Sequence, residues 1–220
     1  MKVRRLTALA ATITMTGALM LTGASGASAA GSGPSAHWPG RPATGTRSLA
    51  AVLGADGPGF DRNWSDYDIV DNAVRAVLTA KPTSPVKVLA DGTTPLTAFL
   101  PTDYAFRRLA TDLTGRHYAS ERAVFEAVAS LGIDTVEAVL LYHVVPGATI
   151  DYRTALRSDD TRLTTASGGT ITVAVRSGSL LKLVDADPDD ANPSVVRPNI
   201  NKGNQQIAHG ISQVLRPVNL

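Results

Sequence analysis

The chain has no cysteine. That excludes disulfides, thiolate metal ligands and a lipid on an N-terminal cysteine, so an exported protein of this sequence is held together by packing alone. Aromatic residues are only 5% against 44% hydrophobic overall, which makes the expected core aliphatic. No sign of charge is in excess either. Twenty-one Lys and Arg stand against 19 Asp and Glu, with no basic block. Phosphate backbones are bound by clustered Lys and Arg, so no nucleic-acid partner is expected.

Chemical motifs are equally scarce. There is no Gly-x-Ser-x-Gly elbow and no Lys-Ser/Thr after a glycine-rich loop. The four histidines, His37, His117, His143 and His209, lack the spacing of a zinc pair. Asp185-Ala186-Asp187-Pro188-Asp189-Asp190 alternates carboxylates as a calcium loop does. Its sixth position is Asp190 where such a loop needs Gly, and its twelfth is Val196 where it needs an acid. It reads as a solvated acidic turn, and the expectation is no metal site, no cofactor and no enzymatic activity.

Only one long apolar run occurs, over residues 6–24. Met1-Lys2-Val3-Arg4-Arg5 precedes it and the small-residue pattern Ala27-Ser28-Ala29 follows. This predicts a secretory signal peptide over residues 1–29 and no stable membrane span after its removal. Arg4-Arg5 leaves the twin-arginine route open beside the general one. Three of the bases lie in this segment, so the remaining chain has 18 against 19 acids and is near neutral. The expected location is secreted or extracellular, released or associated with the cell envelope.

Residues 30–48, AGSGPSAHWPGRPATGTRS, are too rich in Gly, Pro, Ser and Ala to pack and read as a flexible linker. From residue 49 to 220 the pattern is that of one globular domain. Ile69, Val70, Ala73, Val74, Val77 and Leu78 share a helical face, with Ser65 or Asp66 as the cap. Residues 86–89 and 96–100 read as strands, and Thr102 or Asp103 as the cap of a helix over 104–113. Ser120 opens a helix over 121–131 that Gly132 stops, and Asp134 with Glu137 forms a capping-box-like pair for a helix to Tyr142. A helical turn is expected over 151–156. Thr170-Ile171-Thr172-Val173-Ala174-Val175 alternates with period two after the turn Ser167-Gly168-Gly169. Residues 180–184 are its return strand, and 200, 207–211 and 214–215 add short strands. Helices early and strands late give an α+β class.

Residues 140–147, LLYHVVPG, place a tyrosine and a histidine in an apolar run. The stretch reads as a helix end, a buried strand and a Pro-Gly turn. A buried imidazole needs a partner, and Thr102, Asp103 or a backbone carbonyl are the candidates. This stretch resembles the second signature of fasciclin-like domains. LTAFLPTDYAFRRL at 96–109 resembles their first signature, and NINKGNQQIAHGISQVLRP at 199–217 their closing segment, with Asn204-Gln205-Gln206 departing from the usual small or glycine-rich approach to the histidine.

The resemblance covers residues 49–220. It implies a wedge of two mainly antiparallel β-sheets, about seven strands, flanked by several α-helices. It implies a non-catalytic adhesion or interaction module, here a secreted bacterial single-domain member, binding an extracellular protein, glycan or lipid. Tyr142 and His143 would be a receptor-contacting pair or a structural one. Pro101, Thr102, Asp103, Phe106, Pro146, Gly147 and His209 would be structural. Two other readings stay open: a carrier with an apolar crevice for a small ligand, and a Ser/His hydrolase.

Overall fold

The computed structural model describes residues 45–57 and 59–218. The signal-peptide expectation and most of the expected linker lie outside these residues. The order of elements is α1 (Leu49–Leu53), α2 (Asp68–Ala80), β1 (Leu96–Pro101), α3 (Asp103–Thr114), α4 (Glu121–Ala129), α5 (Ile133–Tyr142), β2 (Val144–Pro146), α6 (Tyr152–Ala155), β3 (Arg162–Thr164), β4 (Thr170–Arg176), β5 (Leu180–Val184), β6 (Val195–Ile200) and β7 (Gln206–Ile211). The class is α+β, with strands in two sheets. One runs β2-β1-β7-β6 and the other β3-β4-β5. β1 and β7 are parallel, and every other named pair is antiparallel.

β1 is buried along its whole length because both of its faces are covered. Leu96, Ala98 and Leu100 point into a core built with α1 to α5, while Phe99 points into a second core between the sheets. The two-residue period of a strand sends alternate side chains to opposite faces, so one six-residue segment serves both cores. The second core is completed by Ile171 and Val173 of β4, Leu181 and Leu183 of β5, and Leu215 from the closing segment. The apolar face of α2, with Ile69, Val70, Ala73, Val74 and Val77 buried, matches its expected periodicity.

Several local expectations are corrected. Residues 86–89 are not a strand. Pro85–Ala90 is a 3-10 helix that Ser84 caps through Val86 N, and Pro85 at its start suits a helical turn. α4 ends at Ala129, and Gly132, with φ of 90°, stands at the start of α5. The capping box does not form. Asp134 and Glu137 both bind Lys81 at the end of α2 instead. Residues 214–215 form no strand. α1 and β3 were not expected, since five- and three-residue segments carry too little periodicity to read.

The acidic turn is not simply solvated. Asp187 is buried, and Arg216, also buried, is ion-paired to Asp187, Asp190 and Asp112 of α3. Asp185 accepts the Arg216 backbone N–H at 2.7 Å. The loop folds around one arginine 26 or more residues further along the chain, a pairing that no local pattern announces.

Gly45, in the expected linker, is bound too. It bridges to Asn204, and Asn201 donates to the carbonyl of Arg47 at 2.7 Å.

Candidate interaction site at the signature motifs

Four N–H groups at a helix start lack intrahelical partners. At Pro101-Thr102-Asp103 two helix starts solve this for each other. Thr102 caps its own helix, accepting Ala105 N at 3.3 Å. The next two donors of α3 go elsewhere, Asp103 N to Asp66 O at 3.1 Å and Tyr104 N to Trp64 O at 2.9 Å. In return the Asp103 carboxylate accepts Asp68 N at 3.1 Å and Ile69 N at 2.9 Å, the first donors of α2. Asp103 therefore caps α2 rather than its own helix, and neither Ser65 nor Asp66 takes that role. Phe106, one turn into α3, is buried in the helical core.

Tyr142 and His143 end α5. The Tyr142 ring is 1% exposed and its hydroxyl donates to Thr170 O at 2.9 Å. Gly169 stands against this ring: a Cβ there would lie 2.7 Å from Tyr142 Cε2. His143 is 5% exposed. Its Nδ1 lies 2.7 Å from Val139 O, and its Nε2 accepts Leu215 N at 2.9 Å. These contacts assign a neutral ring with the proton on Nδ1. Burial is the cause that pushes its pKa down to about 4. The partner is thus a backbone carbonyl, not Thr102 or Asp103.

His209 is tied in the opposite tautomer. Its Nε2 lies 2.9 Å from Ile150 O and its Nδ1 accepts Asn199 N at 3.3 Å. Phe99 links the two histidines, donating its N–H to His143 O at 2.9 Å and stacking on the His209 ring at 6.0 Å. Pro146 closes β2 opposite Leu96, and Gly147, at φ of 80°, makes the turn that follows. Both nitrogens of His143 and of His209 face the backbone, so neither ring is free to take a proton from a serine.

Among the described residues an apolar cavity of about 40 Å³ is lined by Phe106, Leu109 and Val136. On the outside, a groove of about 500 Å³ runs beside the first signature. Thr102 lies at its base, and Trp64, Tyr104, Arg108, Val196 and Arg197 line it. Tyr104 and Val196 are 52% and 55% exposed. Arg107 lies over the Trp64 ring, 4.7 Å from its centroid. The capping exchange fixes this groove, since the Tyr104 N–H holds the Trp64 carbonyl.

A family model for the fasciclin domain matches residues 71–217. The chain belongs to the fasciclin domain family. Membership suggests an adhesion or interaction module, and fasciclin domains are generally non-catalytic. Among solved structures, one similar chain is a FAS1 domain pair from the insect cell adhesion molecule fasciclin I. It shares 18% identity over 69% of this chain and 48% of that one, with a TM-score of 0.48. The chain thus spans about half the length of that structure. No curated protein matches.

In this fasciclin domain the three signature stretches meet, with β1, β2 and β7 adjacent in one sheet. Gln206, the departure in the closing segment, is fully buried. Its amide donates to Val88 O and Asp91 O, each at 2.7 Å, and its Oε1 accepts Leu49 N at 2.8 Å. It ties β7 to α1 and to the 3-10 helix, a role that its position in an Asn/Gln-rich run does not reveal. The groove was missed as well. Trp64, Tyr104 and Arg197 lie in three separate stretches that no local pattern links.

Six carboxylates also gather where α2, α3 and α4 begin: Asp56, Asp61, Asp66, Asp68, Asp103 and Glu121. They are the described side chains best placed to hold a cation, and each reads in the sequence as an ordinary loop acid or first-turn acid.

Proposed function

We propose that this protein is an exported, non-catalytic interaction module. Residues 1–29 act as a signal peptide, the stretch from residue 30 up to the bound Gly45 as a linker, and the rest of the chain as the fasciclin domain presented outside the cell, released or loosely held at the envelope. The carrying observation is the groove beside the first signature. Trp, Tyr and Arg dominate binding hot spots because they combine large apolar area with polar reach. Here Trp64, Tyr104, Arg108 and Arg197 line one concave surface with the exposed Val196. Its partner is an extracellular protein, glycan or lipid.

Within this reading Tyr142 and His143 are internal fasteners, and the groove is the contact surface. Their burial and their backbone partners support that division. The carrier reading has less support, because drug-sized ligands occupy pockets of about 300–1,000 Å³ and the interior cavity is about 40 Å³.

The test is capture of the chain beyond residue 29 on separated envelope proteins, glycans and lipid vesicles. Tyr104→Ala and Arg108→Ala should weaken capture at least tenfold with melting unchanged. Full retention in both variants removes the groove from the proposal. No capture by any of the three fractions overturns the interaction reading.

A further inference from the structure

Two acidic clusters exist in this domain, and they differ in one respect. The 185–190 loop encloses Arg216. The cluster at the starts of α2, α3 and α4 has no such base: none of the ion pairs among the described residues involves Asp56, Asp61, Asp66, Asp68, Asp103 or Glu121. Carboxylate oxygens lie within 4.8 Å of one another in three overlapping sets, Asp66 with Asp103 and Glu121, Asp61 with Asp68 and Glu121, and Asp56 with Asp66 and Asp68. Like charges so close repel strongly where water is partly excluded.

Helix N-termini ease negative charge, but the donors here are already assigned. Asp103 takes Asp68 N and Ile69 N, Thr102 takes Ala105 N, and Ser120 takes Ala123 N. Glu121 is left over. It is 0% exposed, and neither carboxylate oxygen has a partner in hydrogen-bond geometry, because the nearby Asp61 N–H is given to Asp68 Oδ2 at 3.2 Å. Asp66 Oδ1 is buried without a partner as well. Buried polar atoms in folded proteins are almost always satisfied, so orphaned oxygens on two members of one set call for a ligand.

We propose that this cluster is a binding site for a hard divalent cation, Ca²⁺, anchored by Glu121, Asp66 and Asp103 and completed by Asp61 and Asp68. The donor set is all carboxylate oxygen, which selects hard cations over zinc or copper. Ca²⁺ accepts six to eight oxygens in irregular arrangements, whereas Mg²⁺ demands a near-ideal octahedron and keeps its waters. Asp66, Asp68 and Glu121 each belong to two of the three sets, and of these only Glu121 has both carboxylate oxygens buried without a partner. Asp61 is exposed and gives the route from solvent. Burial and then the charge of Asp61 push Glu121 up to about 7. The site ties the starts of three helices together beside the groove, since Asp66 and Trp64 share the loop that caps α3.

The experiment is thermal unfolding and calorimetric titration of the purified chain at pH 7.5, first in EDTA and then in CaCl₂ or MgCl₂. CaCl₂ should raise Tm progressively with the logarithm of its concentration, with one ion bound per chain and MgCl₂ weaker. Glu121→Gln keeps the shape, removes the charge and should abolish the shift while raising Tm in EDTA. If Glu121→Gln does not fold, Asp66→Asn at a half-buried position serves in its place and should abolish or sharply reduce the shift. Absence of both heat and Tm shift with wild type means that protons alone occupy the cluster, and overturns the proposal. A Ca²⁺ shift that persists undiminished in the folded variant places the ion elsewhere and overturns it too.

Discussion

The Nε2 of His143 accepts the backbone N–H of Leu215 at 2.9 Å, across 72 residues of sequence. With Nδ1 on Val139 O, the ring pins the end of α5 to the closing segment. An internal polar group with both partners made of backbone is replaceable by no apolar side chain. His143→Ala leaves Leu215 N and Val139 O unmet and should cost about 2 kcal/mol, roughly 5 °C in Tm for a domain of this size. Scanning calorimetry checks it. An unchanged melting curve with lost partner capture would return the residue to a contact role.

Gln206→Leu keeps the volume but strands Leu49 N and takes one of two donors from Val88 O and from Asp91 O, which keep the N–H groups of Asp91 and Thr94. The expected loss is about 1–3 kcal/mol, read from urea unfolding. A neutral result would mean that α1 and the 3-10 helix hold to β7 without the amide.

Arg216→Met uncovers Asp187, which is 3% exposed. Removing one partner of a buried pair costs about 3–5 kcal/mol, and replacing both by apolar groups often recovers it. The double variant Arg216→Met, Asp187→Leu should therefore be more stable than the single one. Equal stability of the two would show that the penalty arises elsewhere, such as loss of Asp190 and Asp112.

The pH profile follows from two opposed sets of groups. Asp103 and Glu121 are raised in the folded chain, to about 8 and about 7. The folded state then holds protons that the unfolded state releases above about pH 4.5, so stability falls as pH rises toward 8. His143 is lowered to about 4. Its contribution is present above about 6.5, the ordinary histidine value, and is lost as pH falls toward 4. In EDTA, Tm should drop between pH 6.5 and 8, and Glu121→Gln should flatten that limb. His143→Ala removes that opposing group, so stability should fall more steeply between about pH 4.5 and 6.5, with the fall above about pH 6.5 unchanged. Urea titrations across pH 4–8 test both. An alkaline limb that survives Glu121→Gln unchanged would remove Glu121 as its source.

Much of the fold was legible locally. The apolar face of α2, the start of α3 at Thr102, the alternation of β4 and the Pro146-Gly147 turn are each fixed by residues within a few positions of one another. The motifs LPTD, LLYHVVPG and the closing histidine marked the three stretches, and the sheet order β2-β1-β7 shows that they are adjacent. What failed was capping and pairing. Asp103 looked like the cap of its own helix and serves α2. Asp134 and Glu137 looked like a capping box and serve Lys81. The acidic loop looked solvated and encloses Arg216. In each case the residue type was read correctly as needing a polar partner, and a competing partner from another element was closer.

The sequence by itself determined that the domain is α+β, aliphatic-cored, free of covalent staples and a bearer of three fasciclin signatures, because periodicity, composition and short motifs are properties of neighbouring residues. Tertiary structure alone decided which polar group answers which. Asp103 reaches Ile69 across 34 residues, and Gln206 reaches Leu49 across 157. Hydrogen bonds and carboxylate clusters act over about 3–5 Å of space with no period along the chain, so they exist only once the helices and sheets have been brought together by burial of their apolar faces.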